Sequence, residues 1–253
     1  TVVRVPCRDD LRPDPELDEN KWLAVVRDAI EGVSDEMLLL LGAFDEVVLD
    51  DRLGGTKTTI QPDWDAPQEL SDSTTREHVV VSRDGATSSR WLLFRRFLPD
   101  RDDLAGETVV GMHLEGEQPG WVAAPVEDEP SAPFHLFFPT KIRSGLPLLL
   151  HGYFEVNAAR TGFYDGAAAR NEAILRELSK LVQAAVADIA SNGDVQLASL
   201  VELLGEAQAP DERLARRFYE EALDLLDDLA WVPVEADQPA PAFGKPTEVL
   251  VDE

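Results

Sequence analysis

Cysteine is nearly missing from this sequence: Cys7 stands alone, so no disulfide can form within the chain. Methionine is scarce as well, limited to Met37 and Met112, and the first residue is Thr1. Such a start is expected of a segment inside a longer reading frame or of a processed product. No apolar run approaches the roughly 18–20 residues of a membrane span. The longest runs, Met37–Leu41 and Leu146–Leu150, are core-sized. These absences point to a cytoplasmic protein. Lysine is limited to Lys21, Lys57, Lys141, Lys180 and Lys245 among 23 basic residues, which face 49 acidic ones for a net charge of −26. A surface of that sign repels nucleic acid and anionic membrane, so neither is expected as a partner. An Arg- and Asp-rich, Lys-poor composition also suits a salt-loving or GC-rich host.

What is present reads as an α+β chain with more than one module. At 253 residues it can bury a sizeable core, and 44% hydrophobic residues is ordinary for a folded protein. From Asn20, residues Trp22, Leu23, Val26, Ala29 and Ile30 fall at helical spacing. Ser34 is placed to cap a second short helix with Met37, Leu38, Leu40 and Leu41 inward. Glu46–Leu49 reads as a strand, and Leu53-Gly54-Gly55 as a turn into another strand through Ile60. Residues 61–75 read as a loop or boundary. Strand signals follow at His78–Ser82, Arg90–Leu98, Thr108–Leu114 and Trp121–Pro125, with Asp84-Gly85 as a turn. The unbroken run Phe134–Phe138 predicts one strand buried on both faces. Beyond Gly162, apolar spacing predicts a long helix over Ala167–Ile189 ended by Asn192-Gly193, and a short one over Val195–Leu204. A third helix is predicted over Glu212–Leu229, capped by Asp211, and Val249–Val251 reads as a strand. The expected division is 1–75 as a helical and hairpin segment, 76–193 as a mixed sheet backed by helices, and 194–253 as a helical extension opening a further module.

Most site chemistries fail on spacing. His78, His113, His135 and His151 are scattered, so no metal site is expected. There is no Gly-x-Ser-x-Gly elbow, and Ser144-Gly145 lies in a loop without a nearby base. Leu53-Gly54-Gly55-Thr56-Lys57 lacks the upstream glycine of a phosphate-binding loop. One region differs in charge. Between Phe134 and Gln183 the bases Lys141, Arg143, Arg160, Arg170, Arg176 and Lys180 outnumber the acids Glu155, Asp165, Glu172 and Glu177, a local +2 that leaves −28 elsewhere. A positive island in so acidic a chain implies an anionic contact, a phosphate or an acidic neighbour. Lys141, Arg143 and Arg160 are the candidates for it.

The stretch Phe134-His-Leu-Phe-Phe-Pro-Thr-Lys-Ile-Arg-Ser-Gly-Leu-Pro-Leu-Leu-Leu-His-Gly-Tyr-Phe-Glu-Val-Asn-Ala-Ala-Arg160 resembles the sacsin-like branch of heat-shock-protein-90-type ATPases, in the superfamily shared with gyrase and MutL. There a strand ending in a Pro-Thr turn leads to a Thr/Ser-Gly-Leu-Pro segment, a Gly-x-Phe strand and an Arg-bearing loop. The resemblance follows the order of the chain over residues 134–175 and is looser from Val3 to Trp231. It implies the transducer-like domain that follows an ATP-binding domain, with a Lys or Arg reaching the terminal phosphate. Lys141, in Pro139-Thr140-Lys141, is similar to the Gln-Thr-Lys loop of gyrase-type transducers, with Pro in place of Gln. Arg160 occupies the Arg position of the Ser/Ala-rich loop and is favoured over Lys141 as the phosphate contact, because its guanidinium can bind phosphate bidentately. The Glu/Asn helix and Asp-x-Gly-x-Gly motif of the ATP-binding domain are not in the sequence. The implied cofactors, ATP and Mg, therefore belong to the parent, and the implied partner is its own N-terminal ATP-binding domain; a homodimer is compatible with this. Two other readings stay open: a non-enzymatic acidic interaction module, and a hydrolase using one of the histidines.

Overall fold

The structure is a computed structural model that describes residues 24, 32–41, 44–51, 55–70, 73–98, 106–118, 120–126, 130–234 and 242–246. Of the helix expected after Asn20, only Ala24 lies within them, and it is helical. The strand expected at Val249–Val251 falls outside them, as does Cys7.

The described chain is an α+β structure built on a ten-stranded mixed sheet. Helix α1 (Asp35–Leu41) precedes strands β1 (Val47–Asp51), β2 (Thr56–Trp64), β3 (Gln68–Glu69), β4 (Thr74–Arg83), β5 (Ala86–Leu98), β6 (Gly106–Glu115) and β7 (Val122–Ala124). Strands β8 (Pro133–Leu136), β9 (Phe138–Arg143) and β10 (Leu149–His151) complete the sheet. The spatial order is β1-β2-β4-β5-β6-β10-β8-β9, with β3 beside β4 and β7 beside β6. Strands β1 to β6 form an antiparallel meander, and β10 enters between β6 and β8, antiparallel to the first and parallel to the second. Helices α2 (Ala168–Asn192), α3 (Leu197–Gly205) and α4 (Arg213–Asp227) follow, then a small hairpin of β11 (Val232–Val234) and β12 (Ala242–Gly244).

Alternation along the central strands sends neighbouring side chains to opposite faces. Leu92 and Phe94 of β5, Val110 and Met112 of β6 and Leu150 of β10 meet the core shared with α2, α3 and α4. Trp91 and Leu93, Val109 and Leu149 point the other way, into a smaller core closed by Leu38, Leu39 and Leu40 of α1. The β4–β5 turn is made by Asp84 (φ 51°) and Gly85 (φ 81°), the two left-handed residues that a tight hairpin requires.

Four sequence expectations change. Residues 61–75 are not a loop: β2 runs on to Trp64, β3 follows, and β4 starts at Thr74. The expected division at 75/76 thus falls inside a strand of one continuous sheet, and the helices beyond 193 share the sheet's core, with the Phe218 ring 5.3 Å from that of Phe134. The run Phe134–Phe138 is two strands, because Phe137 takes φ 59° and turns the chain, leaving Phe138 exposed. The cap of α4 is Glu212, whose carboxylate accepts the Ala215 N–H at 2.7 Å, rather than Asp211.

Candidate functional site

The basic island separates into two parts. On the helices its cations are matched by acids: Arg170 meets Glu155 at 2.9 Å, Arg176 meets Glu221 at 3.8 Å and Lys180 meets Glu177 at 2.7 Å. Glu172 in turn takes Arg217 at 2.6 Å. The second part is at the sheet edge, where β9 places Lys141 and Arg143 two residues apart on one face while Thr140 and Ile142 turn inward. Lys141 is exposed, and its ammonium has no ion-pair or hydrogen-bond partner among the described residues. Arg143 donates from Nη1 to the Ser131 carbonyl at 2.9 Å. Both line a cavity of about 400 Å³ together with Ser131, Thr161, Gln208 and Glu212.

Arg160 is brought to the same edge by a closed loop. Val156 and Phe163 form a bridge at its base, and the Asn157 N–H donates to the Gly162 carbonyl at 3.0 Å. The Asn157 side chain accepts the Thr161 N–H at 3.0 Å, the local turn that asparagine favours. Below the bridge, buried Asn171 accepts the Glu155 N–H at 2.9 Å and donates to the Glu155 carbonyl at 2.8 Å, tying the loop to the first turn of α2. Within this frame Arg160 adopts φ 56°. Its Nη2 donates to the Phe138 carbonyl at 2.6 Å and the Leu136 carbonyl at 3.3 Å. Its own carbonyl accepts the Lys141 N–H at 2.7 Å. The structure therefore brings Lys141 and Arg160 together, but with the guanidinium turned onto the β8–β9 backbone.

His135 and His151 are register partners on β8 and β10 while His78 and His113 lie elsewhere, and no cluster of three or more metal-ligating side chains occurs among the described residues. His113 packs on the Trp91 ring, 5.1 Å between centroids. His151 is fully enclosed, 5.1 Å from the Phe137 ring and 5.5 Å from that of Tyr153, and its Nδ1 lies between the His135 carbonyl at 3.1 Å and the Phe137 N–H at 3.4 Å. Burial lowers its pKa to about 3, so the ring is neutral. Ser144 is buried, with Oγ accepting the Leu146 N–H at 3.1 Å and lying 2.9 Å from the Ala132 carbonyl, which spends it on the backbone.

A charged cluster that the sequence did not announce joins β4 to the end of α2. Arg76 pairs with Asp188 at 3.3 Å and with Asp194, which also meets His78 at 3.3 Å. Burial raises the Asp188 pKa. Burial acts in the same direction on Asp194, but His78 and Arg76 outweigh it and hold that carboxyl below its usual range. The partners are some 110 residues apart, so only the folded chain reveals the cluster. The same holds for Asn171, an unremarkable helix residue in the sequence.

Among the described residues no helix is long and apolar enough to cross a membrane. Compared with known proteins, the chain matches no family model, no curated protein and no solved structure.

Proposed function

We propose that this chain is the middle, transducer-like segment of a heat-shock-protein-90-type ATPase, coupling nucleotide state in an N-terminal domain to movement of the rest of the protein. The observation that carries the reading is the pairing of its two resemblance-bearing elements. Pro139-Thr140-Lys141, which lies within β9 just after the turn at Phe137 rather than in a turn of its own, and the Arg160 loop, 19 residues on, are joined by the Lys141 N–H to Arg160 carbonyl bond of 2.7 Å. They form one hydrogen-bonded edge that carries an ammonium without a partner among the described residues. Such an edge suits an arm that reaches toward a neighbouring domain.

Lys141 and Thr161 offer donors to the phosphate end of ATP beside Arg143, which is held on the Ser131 carbonyl, in a cavity that the carboxylates of Asp211 and Glu212 also line. Bound ATP would supply the phosphoryl group that is transferred, and its magnesium ion belongs with the N-terminal domain. This chain's part is electrostatic. A cation opposite the terminal phosphate stabilises charge that grows on its oxygens as the bond to the leaving group lengthens. The sheet edge fixes the main chain that carries this cation, so only the Lys141 side chain has to settle on the phosphate. Docking the same edge would also signal nucleotide state to the helices on the sheet's far side.

The test is ATP turnover by the complete gene product. Replacing both Lys141 and Arg160 by Ala is expected to lower kcat by about 100-fold or more while the KM for ATP changes by less than about threefold. Wild-type turnover in that double variant would reject the reading.

A further inference from the structure

Lys141 and Arg160 are both cations at the same edge, yet their surroundings differ in kind. The Arg160 guanidinium donates to the Leu136 and Phe138 carbonyls, and its Nε is enclosed without a partner. Reaching outward would break those bonds and leave two carbonyls of the turn without a donor. Arg160 also keeps a left-handed backbone (φ 56°) that a non-glycine residue holds only when neighbouring contacts fix it. Here the contacts are the Asn157 carbonyl, which accepts the Arg160 N–H at 2.9 Å, and the Lys141 N–H, which bonds the Arg160 carbonyl. Phe137, at the centre of the turn, is left-handed as well (φ 59°), with its ring set against His151 and Tyr153. Two left-handed residues therefore lie close together, Phe137 in the β8–β9 turn and Arg160 in the 156–163 loop, and Arg160 bonds the chain before Phe137, after it and at Lys141. Lys141 is the opposite case. Its main chain is fixed and its ammonium is free of partners among the described residues.

We infer that Arg160 is a positioning residue: it clamps the Phe137 turn and the start of β9, from Leu136 to Lys141, by side chain and main chain, so that Lys141 rather than Arg160 meets the terminal phosphate. This rests on the transducer reading above and divides its two cations into a contact and a support. A group that acts only through Lys141 has nothing to support once Lys141 is gone. Two independent phosphate contacts would instead lose rate in proportion to each other.

The test is a double-mutant cycle on the complete protein, with kcat and KM for ATP measured for Lys141→Ala, Arg160→Ala and the pair. The expected result is a fall in kcat of about 100-fold for Lys141→Ala and about tenfold for Arg160→Ala, with the pair within about twofold of Lys141→Ala alone. Arg160→Lys, whose ammonium can donate to the same two carbonyls, is expected to recover turnover to within about threefold of wild type. Arg160→Gly relieves the backbone strain and removes the clamp. It keeps the test available if Arg160→Ala fails to fold, and it is expected to lower kcat like Arg160→Ala. A pair that loses the product of the two single effects, or a larger loss for Arg160→Ala than for Lys141→Ala, would overturn the assignment while leaving the transducer reading in place. No loss in either single variant or in the pair would overturn both.

Discussion

His151 shows how one enclosed polar ring can set a pH dependence. Its pKa in the folded chain is about 3, against an ordinary value of 6.5, because burial disfavours the imidazolium. Between those values the unfolded chain takes up a proton that the folded chain refuses. The contribution is therefore complete above about pH 6.5 and is lost as pH falls toward 3, by at most about 1.4 kcal/mol per pH unit. Urea unfolding of wild type and His151→Leu at several pH values between 7 and 4 checks this. The stability gap between them is expected to shift steadily in favour of the Leu variant as pH falls. A pH-independent gap would show that His151 titrates normally. None of this is legible in the sequence, where His151 is one of four scattered histidines. What sets it apart is the packing of Phe137 and Tyr153 around it, which depends on the left-handed turn at Phe137.

At the scale of elements, the legible parts are those whose cause is local. The apolar spacing of α2 names Ile174, Leu175, Leu178, Leu181, Val182, Ala185, Val186 and Ile189, all of them buried. Gly193 ends that helix at φ 68°, with open space where a Cβ would stand. Gly193→Ala is thus expected to cost only the left-handed backbone term, about 1 kcal/mol in urea unfolding, with no change in the fold's CD spectrum. A loss several times larger would mean that the αL position is not the whole cost. The illegible elements depend on neighbours. Residues 61–64 look like loop because Pro62 interrupts a polar run, yet they form the end of β2. Strand β1 pairs β2 only as far as Ile60, so Pro62 sits where one side of the strand is an open edge. Asp65 N–H bonds the His78 carbonyl, which puts the backbone of Pro62 on the outward side, where a missing N–H breaks no ladder bond. The Phe134–Phe138 run misleads in the opposite sense, since its apolar character hides a turn.

For the whole molecule, charge is the feature that the sequence states most plainly and locates least well. The net −26 is visible by counting, but three bases of the Phe134–Gln183 island meet an acid in the fold, Arg170 with Glu155, Arg176 with Glu221 and Lys180 with Glu177. Exposed pairs of this kind add little stability. With the carbonyl bonds of Arg160 and Arg143 they occupy five of the island's six bases, and among the described residues Lys141 on the β9 edge is the one of the six whose charge has no partner. An acidic surface elsewhere makes that edge the preferred approach for an anion. The α+β class, the long helix and the neighbourhood of Lys141 and Arg160 are legible in the sequence. The division of labour between those two cations is not, because it turns on which of them the backbone carbonyls capture.

Amine acylation of Lys141, followed by peptide mass analysis of the complete protein, addresses the central claim most directly. If the ammonium meets the terminal phosphate, a non-hydrolysable ATP analogue should slow labelling of Lys141 by about tenfold or more relative to ADP, while exposed Lys180 is labelled equally in both. Equal labelling of Lys141 with the triphosphate analogue and with ADP, each at saturation, would contradict it.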